Sequence, residues 1–451
     1  MSLSPENQQH TFKRTATWKS AFIISLGGSL LVAVSLGPLA AALGPASIFV
    51  WSLAAIVGVL QCLMITELAG MFPDKSGGTP TYAHEGFKSI SPIFGALSNW
   101  GYWLGWLPVI SVNLVLAAGY LKATFLPGLN DLPIIYILVF VLFALNYFGL
   151  KLGVVSSFFM GMCSLVPLVM IAFSPLLNHS LFHHNYIFPF VPLGGSWHSA
   201  ASWMLMVKWM FVAVWSAYAF ESASTIVAEL KDPHKDTPKA MGAASLVGLL
   251  AYGIVPFMLL GMVGTETLAK DPSVAFLPAA MAVFGRSGEI VVSVMLIAAL
   301  LLGAQTAIIG ASRSLYEMSR DGLTLKQFGN LNKHGVPMGS TTWNLIVTLI
   351  LLGIFKTQIV NLVAASSIGY LLPFILILPA YVILRRREKN ISRPFKLPRF
   401  FSAIAIVLMI FNVIILFAGG LQWGPTVMGT GITIILTFIP FYFFRRVIQD
   451  K

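Results

Sequence analysis

The sequence predicts an all-α membrane protein that crosses the bilayer many times. Hydrophobic residues make up 57% of the 451-residue chain and charged residues only 10%, and the mean hydropathy is +0.84. A soluble fold cannot bury so much apolar surface. The apolar residues also form runs long enough to cross a hydrocarbon core of roughly 30 Å. Twelve spans can be drawn, at residues 18–41, 46–71, 94–123, 132–149, 152–176, 202–229, 240–263, 288–318, 341–356, 359–384, 401–422 and 424–444.

The basic residues indicate the orientation. With both termini in the cytoplasm, 23 of the 28 Lys and Arg residues fall inside, one (Lys208) falls within a span, and four fall outside, namely Lys122, Lys270, Arg286 and Lys356. Short loops rich in Lys and Arg normally stay in the cytoplasm. We therefore predict an integral, multi-pass protein of the plasma (inner) membrane with both termini cytoplasmic. This distribution accounts for the net charge of +12, so we expect no nucleic-acid partner.

The sixth span carries a carboxylate in its middle. Glu221 lies ten residues before Lys231, which is about 15 Å along a helix and half of the hydrocarbon core. An ionisable group at that depth costs several kcal/mol and normally faces a bundle interior or a wet cavity. The residues around it, including Ser216, Ser222 and Ser224, are weak helix formers. We predict that this helix is interrupted.

The first span is predicted to be interrupted at a similar depth. Gly27 and Gly28 lie there, flanked by Ser25 and Ser29. Glycines let the backbone leave helical geometry, and amides freed at the start of a half-helix bind anions. Close helix packing explains small residues in one span equally well. The matching interruption in the sixth span favours the first interpretation, because paired interruptions in two halves of a chain mark a transporter's binding site.

The spans and loops predict the following organisation. We expect a cytoplasmic tail (1–17), a first half of five helices (18–176), an external loop (177–200), a second half of five helices (201–384), a basic cytoplasmic loop (385–400), two accessory helices (401–445) and a short cytoplasmic tail (446–451). The external loop holds four histidines without a cysteine or carboxylate partner, so we expect no metal and no cofactor. Two cysteines lie inside spans and show no pairing pattern.

Four motifs resemble those of the amino acid–polyamine–organocation permeases. In chain order they are FPxxSGGxxxY at 72–82, ESAS followed by AExKDPxKxxPKA at 221–240, SRxLYxMSRDG at 312–322, and RPFKLP at 393–398. Their order and spacing together are specific, and the resemblance covers almost the whole chain. It implies two inverted repeats of five helices, with unwound first and sixth helices, plus two accessory helices.

Within that family, spans three and six are similar to antiporters for basic amino acids and polyamines of the arginine–agmatine exchanger type. This similarity implies that Tyr102 is an outer gate and that Glu221 is the protonation-linked group. It also implies that Trp215 covers the substrate and that backbone carbonyls at Ser216, Ala217 and Tyr218 bind its amine. The chain departs from the pattern in its order Gly27-Gly28-Ser29, at Ala219 in place of a glycine, and at Gln305 in place of a gating tryptophan.

These observations predict a secondary transporter for an α-amino acid, driven by protons or by exchange, and working as a monomer or a homodimer. The substrate carboxylate would meet amides at Gly27 to Ser29, and its ammonium group would meet carbonyls near Trp215 to Tyr218. Glu221 would couple a proton to the conformational change, or would only hold the interruption open through hydrogen bonds. A polyamine or organocation carrier with Glu221 as counter-ion is the alternative. The spans lack the nucleophile or metal set of an enzyme and the filter sequence of a channel.

Overall fold

In a computed structural model of the chain, the bilayer-length segments are helical. The structure describes residues 12–270, 275–355 and 359–450. Residues 1–11 of the predicted N-terminal tail, Lys356 and Lys451 lie outside the described residues. Within the described ranges there is no β-strand, and two isolated β-bridges join Ala16 to Leu230 and Leu331 to Pro337.

Helices follow one another along the described chain, and most are joined by short turns, with longer connections at 178–199, 321–337 and 388–400. In order they are α1 (Trp18–Ser29), α2 (Val32–Leu43), α3 (Ala46–Met71), α4 (Thr79–Phe87), α5 (Pro92–Thr124), α6 (Asp131–Tyr147), α7 (Leu150–Leu177), α8 (Ala200–Ala217), α9 (Pro233–Val263), α10 (Thr265–Lys270), α11 (Leu277–Phe284), α12 (Gly288–Arg320), α13 (Met338–Phe355), α14 (Ile359–Arg387), α15 (Phe401–Ile414), α16 (Pro425–Leu436) and α17 (Phe438–Phe444). A 3₁₀ segment, Tyr218–Glu229, continues α8.

Nine helical segments among the described residues are long and apolar enough to cross a membrane. They correspond to nine of the twelve predicted spans. The first predicted span is divided between α1 and α2, which have 12 residues each, and the fourth and ninth correspond to the shorter apolar helices α6 and α13. The structure therefore confirms an all-helical, multi-pass membrane fold, while the number twelve stays a prediction.

Several helices begin where the sequence supplies a cap followed by proline. At the start of α9, the carboxylate of Asp232 accepts a hydrogen bond from the backbone amide of Lys235 at 3.3 Å, and Pro233 occupies the first helical position. α5 begins in the same way, with Ser91 as the capping residue and a proline after it. Both arrangements satisfy or remove amides that lack a partner at a helix start. In α5 and α9 the loop sequence therefore fixes where the helix begins.

The interior of the bundle is built by close helix contacts. α5 packs against α12 and α14, and a Cβ atom at Gly101 of α5 would lie 2.8 Å from the carbonyl oxygen of Gly369 on α14. Backbones that approach so closely need small residues at the crossing. α1 and the 3₁₀ segment pack against each other and against both α9 and α12. This packing places the two interrupted helices inside the bundle.

Candidate functional site

The first predicted span is split into two short helices. α1 ends at Ser29, α2 begins at Val32, and Leu30 and Leu31 form the turn between them. The backbone amide of Leu31 donates to the carbonyl oxygen of Gly28 at 3.3 Å. Both leucines are buried. The split therefore places the carbonyl end of one helix beside the amide end of the next, inside the protein.

The glycines of this span permit close packing, and the split follows them by two or three residues. Gly27 and Gly28 both belong to the last turns of α1. A Cβ atom at Gly27 would lie within 3.0 Å of Oγ1 of Thr306 on α12, and one at Gly28 would lie as close to the carbonyl oxygen of Ala219. The sequence places the interruption at the glycines themselves. The structure corrects that position, because α1 needs the glycines to reach its neighbours.

The sixth predicted span changes helix type in its middle. α8 ends at Ala217 and continues as the 3₁₀ segment, all of whose residues are buried. Within the segment Ile226 leaves helical geometry, with φ −118° and ψ 19°. A 3₁₀ run longer than three or four residues is uncommon and often marks a hinge or a strained sequence. The interruption predicted around Ser216 to Ser224 is present as this change.

Two pairs of serines join the interrupted helices. The hydroxyl oxygens of Ser35 on α2 and Ser216 on α8 lie 3.2 Å apart. The hydroxyl of Ser222 in the 3₁₀ segment donates to Oγ of Ser25 on α1 at 3.3 Å. All four side chains are buried. The structure thus places two of the predicted ligand positions, Ser25 and Ser216, in contacts that join the first predicted span to the sixth.

A tyrosine on α9 lies between the two interruptions. The hydroxyl of Tyr252 donates to the carbonyl oxygen of Gly28 at 3.3 Å, and it also interacts with the backbone of Val32 and the side chain of Ser216. Its ring is fully buried and packs against Trp51, with ring centroids 5.1 Å apart. Tyr252 therefore bridges the end of α1, the start of α2 and the end of α8.

Glu221 is buried and held by three hydroxyl groups. Tyr102 on α5 donates to Oε1 at 2.7 Å, while Thr79 on α4 and Ser224 in the 3₁₀ segment each donate to Oε2 at 2.8 Å. No ion pair among the described residues involves this carboxylate. Three O–H donors suit an ionised carboxylate, which only accepts. On protonation one oxygen becomes a donor, so at least one of these contacts must rearrange.

The loop before α4 brings Thr79 to Glu221. Gly78 has a φ of +80°, and a Cβ atom there would lie 3.0 Å from the hydroxyl oxygen of Tyr102 and 3.2 Å from that of Ser224. Positive φ and close approach both favour glycine. The preceding residue, Gly77, donates its backbone amide to the carbonyl oxygen of Thr225 at 3.1 Å. The double glycine of the FPxxSGG motif therefore docks this loop against the interrupted sixth helix.

The same loop joins a cluster of charged side chains. The ammonium group of Lys75 contacts the carboxylates of Asp321 at the end of α12, of Glu85 at 3.2 Å and of Glu317 at 3.5 Å. Burial favours a lower pKa for Lys75, but the charges of Asp321 and Glu317 outweigh burial and raise its pKa above the usual value. Lys75 is therefore held as a cation by three carboxylates from two other elements.

Glu85 on α4 completes this cluster. Burial favours a higher pKa for its carboxyl group, but the hydrogen bond from Lys88 and the charge of Lys75 outweigh burial and lower the pKa below the usual value. Nζ of Lys88 lies 2.6 Å from Oε2 of Glu85, and the side chain of Lys88 is half exposed. Glu85 is therefore held as an anion, and the cluster ties α4 to the end of α12.

A buried ion pair lies on α12 next to this cluster, one turn before Glu317. Nε of Arg313 on α12 is 2.6 Å from Oε1 of Glu229 at the end of the 3₁₀ segment, and both side chains are buried. Phe12 lies against the guanidinium group at 5.7 Å, and the backbone amide of Ala16 donates to the carbonyl oxygen of Glu229 at 2.9 Å. The N-terminal segment and the two helix ends are thus closed against one another at this end of the molecule.

The other predicted site residues have different surroundings. The hydroxyl of Tyr218 donates to Oδ1 of Asn412 on α15 at 2.6 Å, so this side chain points away from α1. The hydroxyl of Ser29 donates to the carbonyl oxygen of Ala244 on α9 at 3.3 Å. A Cβ atom at Gly58 of α3 would lie 2.5 Å from the carbonyl oxygen of Ala217, so that carbonyl faces α3. Trp215 is buried, with 2% of its surface exposed.

Position 305, where the resemblance implies a gating residue, also faces elsewhere. Oε1 of Gln305 accepts a hydrogen bond from Asn146 on α6 at 3.0 Å. Its Nε2 is close enough to α7 that a Cβ atom at Gly153 would lie 3.1 Å away. Among the residues that the structure describes, no three His, Cys, Asp or Glu side chains are grouped to hold a metal ion.

Comparison with known families decides the kind of protein. The family model described as amino acid permease matches residues 17–441, which include every element of the site. The chain belongs to the amino acid permease family. It is therefore a membrane transport protein and not an enzyme. The family assignment confirms the permease fold that the motifs predict, while the antiporter subgroup stays a prediction.

Three relatives with different named substrates are similar to this permease over most of its length. It is 26% identical to the amino-acid permease RocE of Bacillus subtilis (strain 168), covering 76% of this chain and 73% of the relative. It is 25% identical to the branched-chain amino acid permease BcaP of the same organism, covering 83% and 80%. It is 20% identical to the D-serine/D-alanine/glycine transporter of Escherichia coli (strain K12), covering 90% and 89%.

Sequence reasoning missed three residues that the permease places at the interruptions. Ser224 is a specified residue of the ESAS motif, whereas Thr79 occupies an unspecified position of FPxxSGGxxxY, and only the fold shows that they converge on Glu221. Tyr252 lies in a span without any motif. A lone tyrosine in an apolar helix is most often a packing residue, and nothing in the sequence distinguishes this one.

Proposed function

We propose that this permease is a secondary active transporter of amino acids in the plasma membrane that works by alternating access and couples uptake to protons through Glu221. The observation that carries the proposal is the meeting of two interrupted helices inside the bundle, joined by the Ser35–Ser216 and Ser25–Ser222 contacts. Opposed helix ends supply positive and negative partial charges without any ionised side chain. They suit a zwitterion better than a simple cation.

The helix polarity assigns the two ends of the substrate. The carboxylate faces the start of α2, beginning at Val32, because the first amides of a helix lack internal partners and carry partial positive charge. The ammonium group faces the carbonyl ends of α1 and α8, near Gly28 and Ser216. Tyr252 interacts with the carbonyl end of α1, the start of α2 and the end of α8. It therefore holds these helix ends in fixed relative positions. The proposed carboxylate position thus moves from Gly27–Ser29 to the residues immediately after them.

Glu221 supplies the coupling. Its three hydroxyl partners come from α4, α5 and the 3₁₀ segment, so its charge state acts on three elements at once. Protonation removes one acceptor position and loosens a contact to α4 or α5. Since α4 is also tied to the Lys75 cluster, the loosening reaches the end of the molecule that the sequence predicts to be cytoplasmic.

Reconstituted transport tests this proposal. The purified protein in liposomes is offered radiolabelled amino acids, with and without an inward proton gradient, and uptake is challenged with amino acids, with the matching decarboxylated amines and with putrescine. We expect uptake of α-amino acids that amino acids inhibit and that the amines and putrescine do not. Inhibition by putrescine as strong as that by amino acids would instead support the organocation carrier.

A further inference from the structure

One buried amide on α5 has no partner at either end. Asn113 is fully buried, with 0% of its surface exposed, and neither Nδ2 nor Oδ1 makes a hydrogen bond. In the ranges that the structure describes, it is the one buried amide side chain with both ends unpaired. Buried polar groups are nearly always hydrogen-bonded, and one left unpaired lowers stability. An unpaired group that persists needs an explanation.

Asn113 lies beside the split in the first helix. A Cβ atom at Gly303 of α12 would lie 2.5 Å from Nδ2 of Asn113 and 3.2 Å from Cδ2 of Leu31. The amide therefore reaches across Gly303 toward the turn between α1 and α2. One turn along α12, the hydroxyl of Thr306 donates to the carbonyl oxygen of Ile24 at 2.6 Å, which fixes α12 against the middle of α1.

The position on α5 places Asn113 on the same side as Tyr102. The two are 11 residues apart, which is three turns of helix and roughly 16 Å. One end of this face binds Glu221 through Tyr102, and the other carries the unpaired amide. Because Gly303 has no side chain, the amide of Asn113 lies directly against α12 beside Leu31, and Gln305 points toward α6 and α7.

We infer that Asn113 recognises the side chain of the substrate, and that the permease prefers amino acids with an uncharged hydroxyl or carboxamide side chain. This inference rests on the proposed function, because it places the substrate at the split. A carboxamide offers one acceptor and two donors, which complement a hydroxyl or a second carboxamide. It supplies no counter-charge for a lysine or arginine side chain, and an aliphatic side chain would leave it unpaired.

Competition assays on two Asn113 variants test the inference. Labelled uptake by wild type in liposomes is inhibited with serine, threonine, asparagine and glutamine, with alanine, valine and leucine, and with lysine and arginine. We expect the hydroxyl or carboxamide group to contain the strongest inhibitors. Asn113→Leu keeps the volume and removes the polar group, so it should weaken those inhibitors about tenfold relative to alanine. Asn113→Ser keeps a smaller polar group and should weaken them less.

A matched control separates recognition from the general effect of removing a buried polar group. Thr348 on α13 is also fully buried with an unpaired hydroxyl, so Thr348→Val should leave the inhibition profile unchanged. Asn113→Leu should unfold at the same temperature as wild type or higher, because it removes an unpaired group. If Asn113→Leu fails to fold, the profile of Asn113→Ser decides.

Three results would overturn the inference. They are a wild-type preference for branched aliphatic substrates, a preference for cationic substrates, and Asn113 variants with the wild-type inhibition profile. Uptake of no amino acid at all is a different outcome, because it contradicts the proposed function itself and this inference falls with it.

Discussion

The hydroxyl of Tyr102 donates a 2.7 Å hydrogen bond to Oε1 of Glu221, and both side chains are fully buried. Through this hydrogen bond, Tyr102 connects α5 to the one carboxylate in the middle of the sixth span. The sequence resemblance implies an outer gate at this position, whereas the observed contact gives the tyrosine a direct part in holding Glu221.

Removing this donor should weaken both the fold and transport. A hydrogen bond to a charged group contributes about 1.5–3 kcal/mol, so Tyr102→Phe should lower the free energy of unfolding by that amount, as measured by denaturation in detergent. Uptake should fall as well, because Glu221 loses its tie to α5. A variant as stable and active as wild type would show that this contact is dispensable.

A side chain at Gly28 should abolish transport. Its Cβ atom would meet the carbonyl carbon and oxygen of Ala219 at less than 3.0 Å, and backbone cannot yield as a flexible side chain does. We expect Gly28→Ala to separate α1 from the 3₁₀ segment, with loss of uptake and a destabilisation of about 1–3 kcal/mol from overpacking. The control is Gly253→Ala on α9, where no atom lies within 4 Å. That change should be neutral or stabilising by about 1 kcal/mol.

The charged cluster should limit stability at both extremes of pH. The pKa of Glu85 lies below its usual 4.5, so its contribution is complete above 4.5 and is lost as the pH falls through the lowered value. The pKa of Lys75 lies above its usual 10.5, so its contribution is complete below 10.5 and is lost as the pH rises through the raised value. The contributions of Glu85 and Lys75 to the free energy of unfolding should therefore both be constant between these two pH values, as measured by comparing unfolding temperatures of wild type with those of Glu85→Gln and Lys75→Met across the pH range. A decline inside that window caused by either group would contradict this description.

Substitutions within the cluster separate its buried from its exposed contacts. Lys75→Met leaves three carboxylates without their shared cation and should cost at least about 2 kcal/mol, since breaking a buried pair costs about 3–5 kcal/mol and Lys75 is partly exposed. Lys88→Met removes an exposed partner of Glu85 and should cost less than about 1 kcal/mol. An equal loss of unfolding free energy in the two variants would show that Lys75 contributes no more to stability than the exposed Lys88.

Much of this fold could be predicted from the sequence because membrane helices are recognisable as long apolar runs. The helical class, the interruptions and Glu221 follow from apolar runs, weak helix formers and one isolated charge. The exact split at Leu30 and Leu31 did not follow, because contacts of Gly27 and Gly28 with α12 and the 3₁₀ segment decide it. Contacts between distant segments also select Thr79 as a partner of Glu221. No local pattern encodes such pairings.

The most direct test of proton coupling is uptake under an imposed gradient by wild type and Glu221→Gln. The amide keeps the shape of the carboxyl group but does not titrate. The matched control is Glu289→Gln, which changes an exposed carboxylate at the start of α12. We predict that an inward proton gradient stimulates amino acid uptake by wild type and Glu289→Gln but not by Glu221→Gln. Two results would contradict a role of Glu221 in proton coupling. One is equal stimulation of uptake in Glu221→Gln and wild type, and the other is wild-type uptake that is the same with and without the gradient.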